Sequence, residues 1–124
     1  MTVEGLLFSF QGRIRRSHWW VTRLAVTAIA LLLLFGWSAV QGALRAGNDP
    51  INLLLVALAA LIVFGLIMWV DLALNVKRLH DLGWTGWLVL VSFVPLVGGL
   101  FSLICLGIVD GESGPNQFGP SPKS

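Results

Sequence analysis

The chain has 124 residues, 56% of them apolar and 11% charged, with eight Lys or Arg against six Asp or Glu. Soluble domains carry roughly 25% charged residues, so this chain lacks the polar surface to coat a water-exposed globule, and its mean hydropathy of +0.86 agrees. A net charge of +2 with no basic patch on a soluble face excludes nucleic-acid binding, and a single cysteine, Cys105, excludes an internal disulfide or a thiolate metal site.

Residues 1–18 read as an interfacial N-terminal segment. Phe8 and Phe10 suit an approach along the membrane surface, and Ser17 reads as the N-cap of the helix that follows. Arg13, Arg15 and Arg16 fix the orientation of that helix. They can also hold anionic lipid headgroups, each near the surface contributing about 1 kcal/mol.

Three uncharged apolar runs follow, Leu24 to Leu44, Leu53 to Val70 and Trp87 to Val109. At about 1.5 Å per residue, runs of about 18 residues or more cross a hydrocarbon core of roughly 30 Å. They predict spans over residues 19–46, 51–82 and 87–109, the second carrying a cytoplasmic extension. The first is too long for the apolar region of a cleavable signal peptide, and a second span follows at once. Thr2 at the second position and a C-terminus without cysteine give no lipidation signal. Gly36, Ala39, Ala43 and Gly47 form a partly small face on the first span that could admit a neighbouring helix.

Orientation follows from the basic residues beside the spans. Arg13, Arg15, Arg16 and Arg23 precede the first, and Lys77 and Arg78 lie between the second and third. Only Arg45 and Lys123 fall on the other side, six against two, so the N-terminus is expected in the cytoplasm and the tail outside. Trp19, Trp20, Trp69, Trp84 and Trp87 fall at the cytoplasmic span ends, where indole prefers the interface.

The second span is expected to run past Val70 as a helix to Leu82, with Gly83 closing it. On that extension Asp71, Asn75, Arg78 and Asp81 recur every three or four residues as one polar stripe. A carboxylate at the edge of hydrocarbon is costly unless paired. Arg78 is the expected partner of Asp71 within the helix, Arg13 or Arg16 from outside it, and Lys77 and Asp81 are spaced for an i,i+4 pair. Two readings stand: a salt-bridge lock tying the N-terminal segment to the connector, which is favoured, or a headgroup, ion or proton site. His80 and Asp81 are adjacent and point about 100° apart on a helix, so they share one ligand poorly, and His18 is the only other imidazole. No nucleophile–base spacing, metalloprotease, P-loop or dinucleotide motif is present.

In the third run Pro95, Gly98 and Gly99 interrupt the helix. A kinked span is the first reading. The alternative is a re-entrant hairpin turning at residues 95–99, which would return the tail to the cytoplasm. Residues 110–124 are turn chemistry throughout, for which disorder is the default, with Phe118 as the one large apolar group that could anchor the tail to the interface.

Three stretches taken together resemble the Domain of Unknown Function 805 family of small bacterial inner-membrane proteins. They are Phe10-Gln11-Gly12-Arg13-Ile14-Arg15-Arg16-Ser17-His18-Trp19-Trp20, the connector Arg78-Leu79-His80-Asp81-Leu82-Gly83-Trp84-Thr85-Gly86-Trp87, and Gly111 through Pro122 with Gly114, Asn116, Phe118 and Gly119. Thr85 stands where the family pattern has serine and keeps the hydroxyl. The resemblance supplies no activity, substrate or catalytic residue. It does imply that the connector and the tail motif serve something beyond topology, and if they touch, the tail must be cytoplasmic, against the charge count.

The expectation is therefore an all-α integral membrane protein with three transmembrane helices and the N-terminus inside, residing in a bacterial inner membrane. Its expected role is non-enzymatic, a structural or interaction component with an interfacial cluster of Arg13, Arg16, Asp71, Asn75, Arg78, His80 and Asp81. Membrane lipids, including anionic headgroups, and a second copy or another membrane protein are the expected partners, with no cofactor and no metal. The alternatives are a small oligomeric transporter or channel subunit, and an enzyme acting on lipid headgroups through His80, Asp81 and an arginine.

Overall fold

The computed structural model describes residues 2–44 and 49–122. Arg45, Gly47 and Lys123, used above for charge and for the small face, lie outside the described residues. The chain is helical: α1 is Val3–Phe8, α2 Arg16–Leu44, α3 Pro50–Asp81 and α4 Val97–Phe101. A 3-10 helix, Gly86–Phe93, precedes α4, and a π-helix, Ser102–Ile108, continues it.

Local chemistry sets these boundaries. Thr2 caps α1, its Oγ1 accepting from the Gly5 amide at 3.1 Å. Asp49 caps α3 by accepting from the Ile51 amide at 3.3 Å, and Pro50, whose missing N–H would be an orphan anyway, opens the helix. Helix α2 already includes Arg16, so Ser17 lies inside its first turn and is not the N-cap that the sequence suggested. Helix α3 does extend past Val70, ending at Asp81, and Gly83 follows at φ 74°, the left-handed geometry that closes a helix.

The third apolar run is not one continuous helix, and two helices among the described residues, α2 and α3, are long and apolar enough to cross a membrane. The third run folds as a hairpin. Pro95 cannot continue a hydrogen-bonded ladder, and the chain reverses through a γ-turn in which the Val97 amide donates to Pro95 C=O at 2.8 Å. Leu96 sits at its centre at φ 66°, a strained position for a residue with a Cβ. A Cβ on Gly98 would collide with the Ser92 carbonyl, so glycine is what lets the two limbs close up. The Ser102 hydroxyl reaches the Ser92 hydroxyl at 3.5 Å across the limbs. Both ends of the hairpin therefore return to the C-terminal end of α3.

Burial is concentrated at that end. Ile14, Trp19, Leu74, Leu79 and Leu106 form the core there, each almost fully enclosed. The rest of α2 and the first two-thirds of α3 expose Leu31 through Phe35, Leu53 through Leu55 and Leu61 through Phe64. Water would oppose so wide an apolar surface. These two helices are long and apolar enough to cross a membrane.

Candidate functional site

One polar cluster sits at the end of α3. Helical periodicity puts Arg78 and Asp81 on one face, and Arg78 Nη1 donates to Asp81 Oδ2. Arg13 arrives from the extended segment between α1 and α2, where Gly12 turns the chain at φ 89°. Its Nε donates to Asp81 Oδ1 at 3.1 Å and its Nη2 lies 3.0 Å from the same oxygen. Asp81 is thus held between two guanidinium groups, with all three side chains buried.

Two cations on one carboxylate leave an uncompensated positive charge, and backbone carbonyls take it up. Arg13 donates to Gly114 C=O at 2.8 Å, Gly119 C=O at 3.3 Å and Glu112 C=O at 2.7 Å. Arg78 donates to Leu106 C=O at 2.8 Å and to Val109 C=O. The last two lie at the C-terminal end of the π-helix, where orphan carbonyls carry partial negative charge. No buried side-chain donor or acceptor among the described residues lacks a partner.

The tail in return caps α3. The Glu112 amide donates to Asp81 C=O at 2.8 Å, and Asn116 Nδ2 donates to His80 C=O at 2.9 Å, satisfying two of the carbonyls that a helix end leaves open. Asn116 also donates to Glu112 Oε2 at 2.9 Å and accepts from the Phe118 amide at 2.9 Å, and it exchanges backbone bonds with Gly119. Phe118 stacks on His80, rings 3.9 Å apart and 7° from parallel. That contact holds the tail against the end of α3. Gly111 lies so close to Asp81 that a Cβ there would collide with the carboxylate. His80 Nδ1 is 3.2 Å from Gly12 C=O.

Several pairings differ from those read off the sequence. Asp71 does not meet Arg78. Its Oδ1 pairs with Arg23 at 3.6 Å and its Oδ2 accepts from Asn75 at 3.0 Å. Arg78 lies two turns further on and is drawn to Asp81 and the tail instead. Lys77 leaves Asp81 alone and reaches, fully buried, to the carbonyls of Gly5 and Leu6 at the end of α1. Arg16 stays near the surface, donating to Ile108 C=O at 2.7 Å and pairing with Asp110 at 3.3 Å. His18 turns to Arg15, 3.0 Å away.

Three residues of the site went unread. Trp19 is buried in the core, donating to Asn75 Oδ1 at 3.0 Å, and Trp20 donates to Gly107 C=O at 2.9 Å. Arg23 packs over the Trp19 ring at 4.8 Å and reaches Asn75 Oδ1 at 3.3 Å. The signal was the i,i+4 spacing of Trp19 and Arg23, which places an indole and a guanidinium on one face of α2.

The architecture is that of a small all-helical protein with two membrane-length apolar helices, tied at one end by a buried arginine–aspartate cluster. The chain belongs to the family described as Protein of unknown function (DUF805), whose model matches residues 7–120. It is similar to Inner membrane protein YhaH of Escherichia coli strain K12, 34% identical over 119 residues, covering 92% of this chain and 87% of that protein. Inner membrane protein YhaI of the same strain is 32% identical over 114 residues, covering 92% and 86%. Uncharacterized protein YiiR is 32% identical over 143 residues, covering 96% and 89%. No solved structure matches the chain. The three stretches that carry the family resemblance are the three that converge on Asp81.

Proposed function

We propose that the chain is a non-enzymatic component of a bacterial inner membrane, a two-helix anchor whose cytoplasmic end is built into a rigid platform by the Arg13–Asp81–Arg78 lock. Helices α2 and α3 cross the bilayer, the hairpin of residues 86–108 is re-entrant from the cytoplasmic leaflet, and the tail lies in the cytoplasm beside the N-terminal segment. The names of the relatives YhaH and YhaI support the location, and the excess of Lys and Arg at the locked end supports the orientation.

The observation that carries the role is the saturation of the cluster. Asp81 and Arg78 are almost fully buried, and an arginine, a carboxylate and backbone groups already occupy their polar atoms. A headgroup enzyme needs an acid or base with access to substrate, and a conducting subunit needs its charge beside water. The lock offers neither. The test is reconstitution of wild type and Asp81→Asn into vesicles of inner-membrane lipid. The expected outcome is no headgroup conversion and no ion flux by the wild type, with loss of heat stability in the variant. Headgroup conversion or flux by wild type that vanishes in an Asp81→Asn protein of unchanged heat stability would overturn this reading.

A further inference from the structure

A cavity of about 450 Å³ opens between α2, α3 and the hairpin, away from the lock, and falls in the size range of small-molecule sites, roughly 300–1,000 Å³. Its lining is uneven. Met68, Leu72, Phe93 and Leu103 make an apolar wall. Arg23, Asp71 and Asn75 make a polar one, faced across the cavity by Ser92 and Ser102.

The Arg23–Asp71 pair is loose. Its 3.6 Å separation and the 3.3 Å bond from Arg23 to Asn75 exceed the roughly 2.7–2.9 Å of a close guanidinium–oxyanion contact. Both side chains remain about one-third exposed, at 33% and 35%. A guanidinium has five N–H donors, and since no buried donor goes unpartnered among the described residues, those that Arg23 does not use are exposed, on a side chain that lines the cavity. The guanidinium carbon lies over the Trp19 ring at 4.8 Å, and the bond from Asn75 holds the carboxylate. The site therefore presents a cation and an anion side by side, both held in place and both accessible.

Depth decides the ligand. Asp71 is the first charged residue after the uncharged run that ends at Val70, so the pair lies at the inner edge of the hydrocarbon, the level of inner-leaflet phosphates. We infer that this cavity binds a phospholipid with a zwitterionic, primary-ammonium headgroup, its phosphate on Arg23, its ammonium on Asp71 and its chains along Met68, Phe93 and Leu103. Phosphatidylethanolamine is the matching chemistry. Phosphatidylglycerol offers Asp71 no cation, and the quaternary ammonium of phosphatidylcholine has no N–H to donate. This rests on the membrane placement proposed above but not on the role of the lock.

The experiment has two parts. Flotation of the purified protein with phosphatidylcholine vesicles checks the placement. The melting temperature is then followed in detergent during titration with phosphatidylethanolamine, phosphatidylglycerol, phosphatidylcholine or free phosphoethanolamine, since a ligand that binds only the folded state raises it. Phosphatidylethanolamine should stabilise the wild type most, and free phosphoethanolamine should have little effect because it lacks the chains. Arg23→Gln and Asp71→Asn should each weaken the apparent affinity roughly tenfold or more, the loss of one charge-assisted hydrogen bond. Equal stabilisation by all three lipids, or a response unchanged in both variants, overturns the site alone. Stabilisation by free phosphoethanolamine equal to that by the lipid overturns the lipid and leaves a soluble headgroup as ligand. Failure to float overturns the placement and the site with it.

Discussion

Arg13 and Asp81 are 68 positions apart in the chain, yet the Nε of one donates to the Oδ1 of the other at 3.1 Å with both side chains 1% exposed. This contact closes the N-terminal segment over the end of α3, and the tail closes over both. Removing the carboxylate would strand two buried guanidinium groups. Asp81→Asn is expected to destabilise the protein by about 3–5 kcal/mol, the range for breaking one side of a buried pair. Thermal unfolding in detergent, followed by circular dichroism, checks this, and a melting temperature within a degree or so of wild type would contradict it.

Glycine at position 111 is a steric requirement of the same contact. Its backbone passes against the Asp81 carboxylate with no room for a Cβ. Gly111→Ala should displace the tail and lower stability. Gly36→Ala, where a new Cβ meets nothing within 4 Å, is the control. Alanine there should be neutral or stabilise helix α2 by roughly 0.5–1 kcal/mol. The pair of melting curves should move in opposite directions, or the second not at all.

How much of this was legible in the sequence depends on the range of the interaction. Runs of uncharged residues and single caps are local, and they gave helices close to α2 and α3, with Gly83 closing the latter. The stripe of Asp71, Asn75, Arg78 and Asp81 was legible because helical periodicity fixes it. Which charge meets which was not. Asp71 has an arginine seven positions on in its own helix, but its partner, Arg23, comes from another helix, and Asp81 selects Arg13 over the neighbouring Lys77. The charge count puts the tail outside only if the third run crosses, because Lys and Arg beside a span report orientation only then. A run interrupted by Pro95, Gly98 and Gly99 turns back. The resemblance made a contact between connector and tail thinkable, and that contact is present.

Asn116 links the tail to the helix end through His80 C=O, Glu112 Oε2 and the Phe118 amide. Each such bond contributes about 0.5–1.5 kcal/mol net. Asn116→Ala should therefore release the tail locally while the buried Arg13–Asp81–Arg78 contacts persist. Hydrogen exchange read by mass spectrometry should show faster exchange in residues 111–122, with α2 and the first two-thirds of α3 unchanged. Uniform acceleration across the chain would mean that the tail and the core unfold as one unit.

The stack of Phe118 on His80 gives a further check on the same junction. The rings lie 3.9 Å apart and nearly parallel, and aromatic pairs contribute about 0.5–1.5 kcal/mol beyond the area they bury. Phe118→Leu keeps most of the apolar area and loses the stack, so it should cost less than Phe118→Ala. If Phe118 instead anchored the tail in lipid, leucine would serve as well as phenylalanine, and the two substitutions would separate the roles.

The hairpin makes a topological demand that labelling can test. Because Glu112 and Asn116 bond to the backbone of Asp81 and His80, the proposed topology requires the tail to share a side of the membrane with the connector and the N-terminal segment. With Cys105 replaced by serine, Gln117→Cys and Gln11→Cys should both resist a membrane-impermeant maleimide in intact spheroplasts and react in inverted vesicles. Both positions are exposed in the folded chain, so protection in spheroplasts would come from the bilayer and not from burial. Asn52→Cys, at the opposite end of α3, should show the reverse pattern, its reactivity about a full helix length from the lock. Labelling of position 117 from the outside, with position 11 protected, would require the third apolar run to cross after all. The contacts between Asp81 and the tail could not then form.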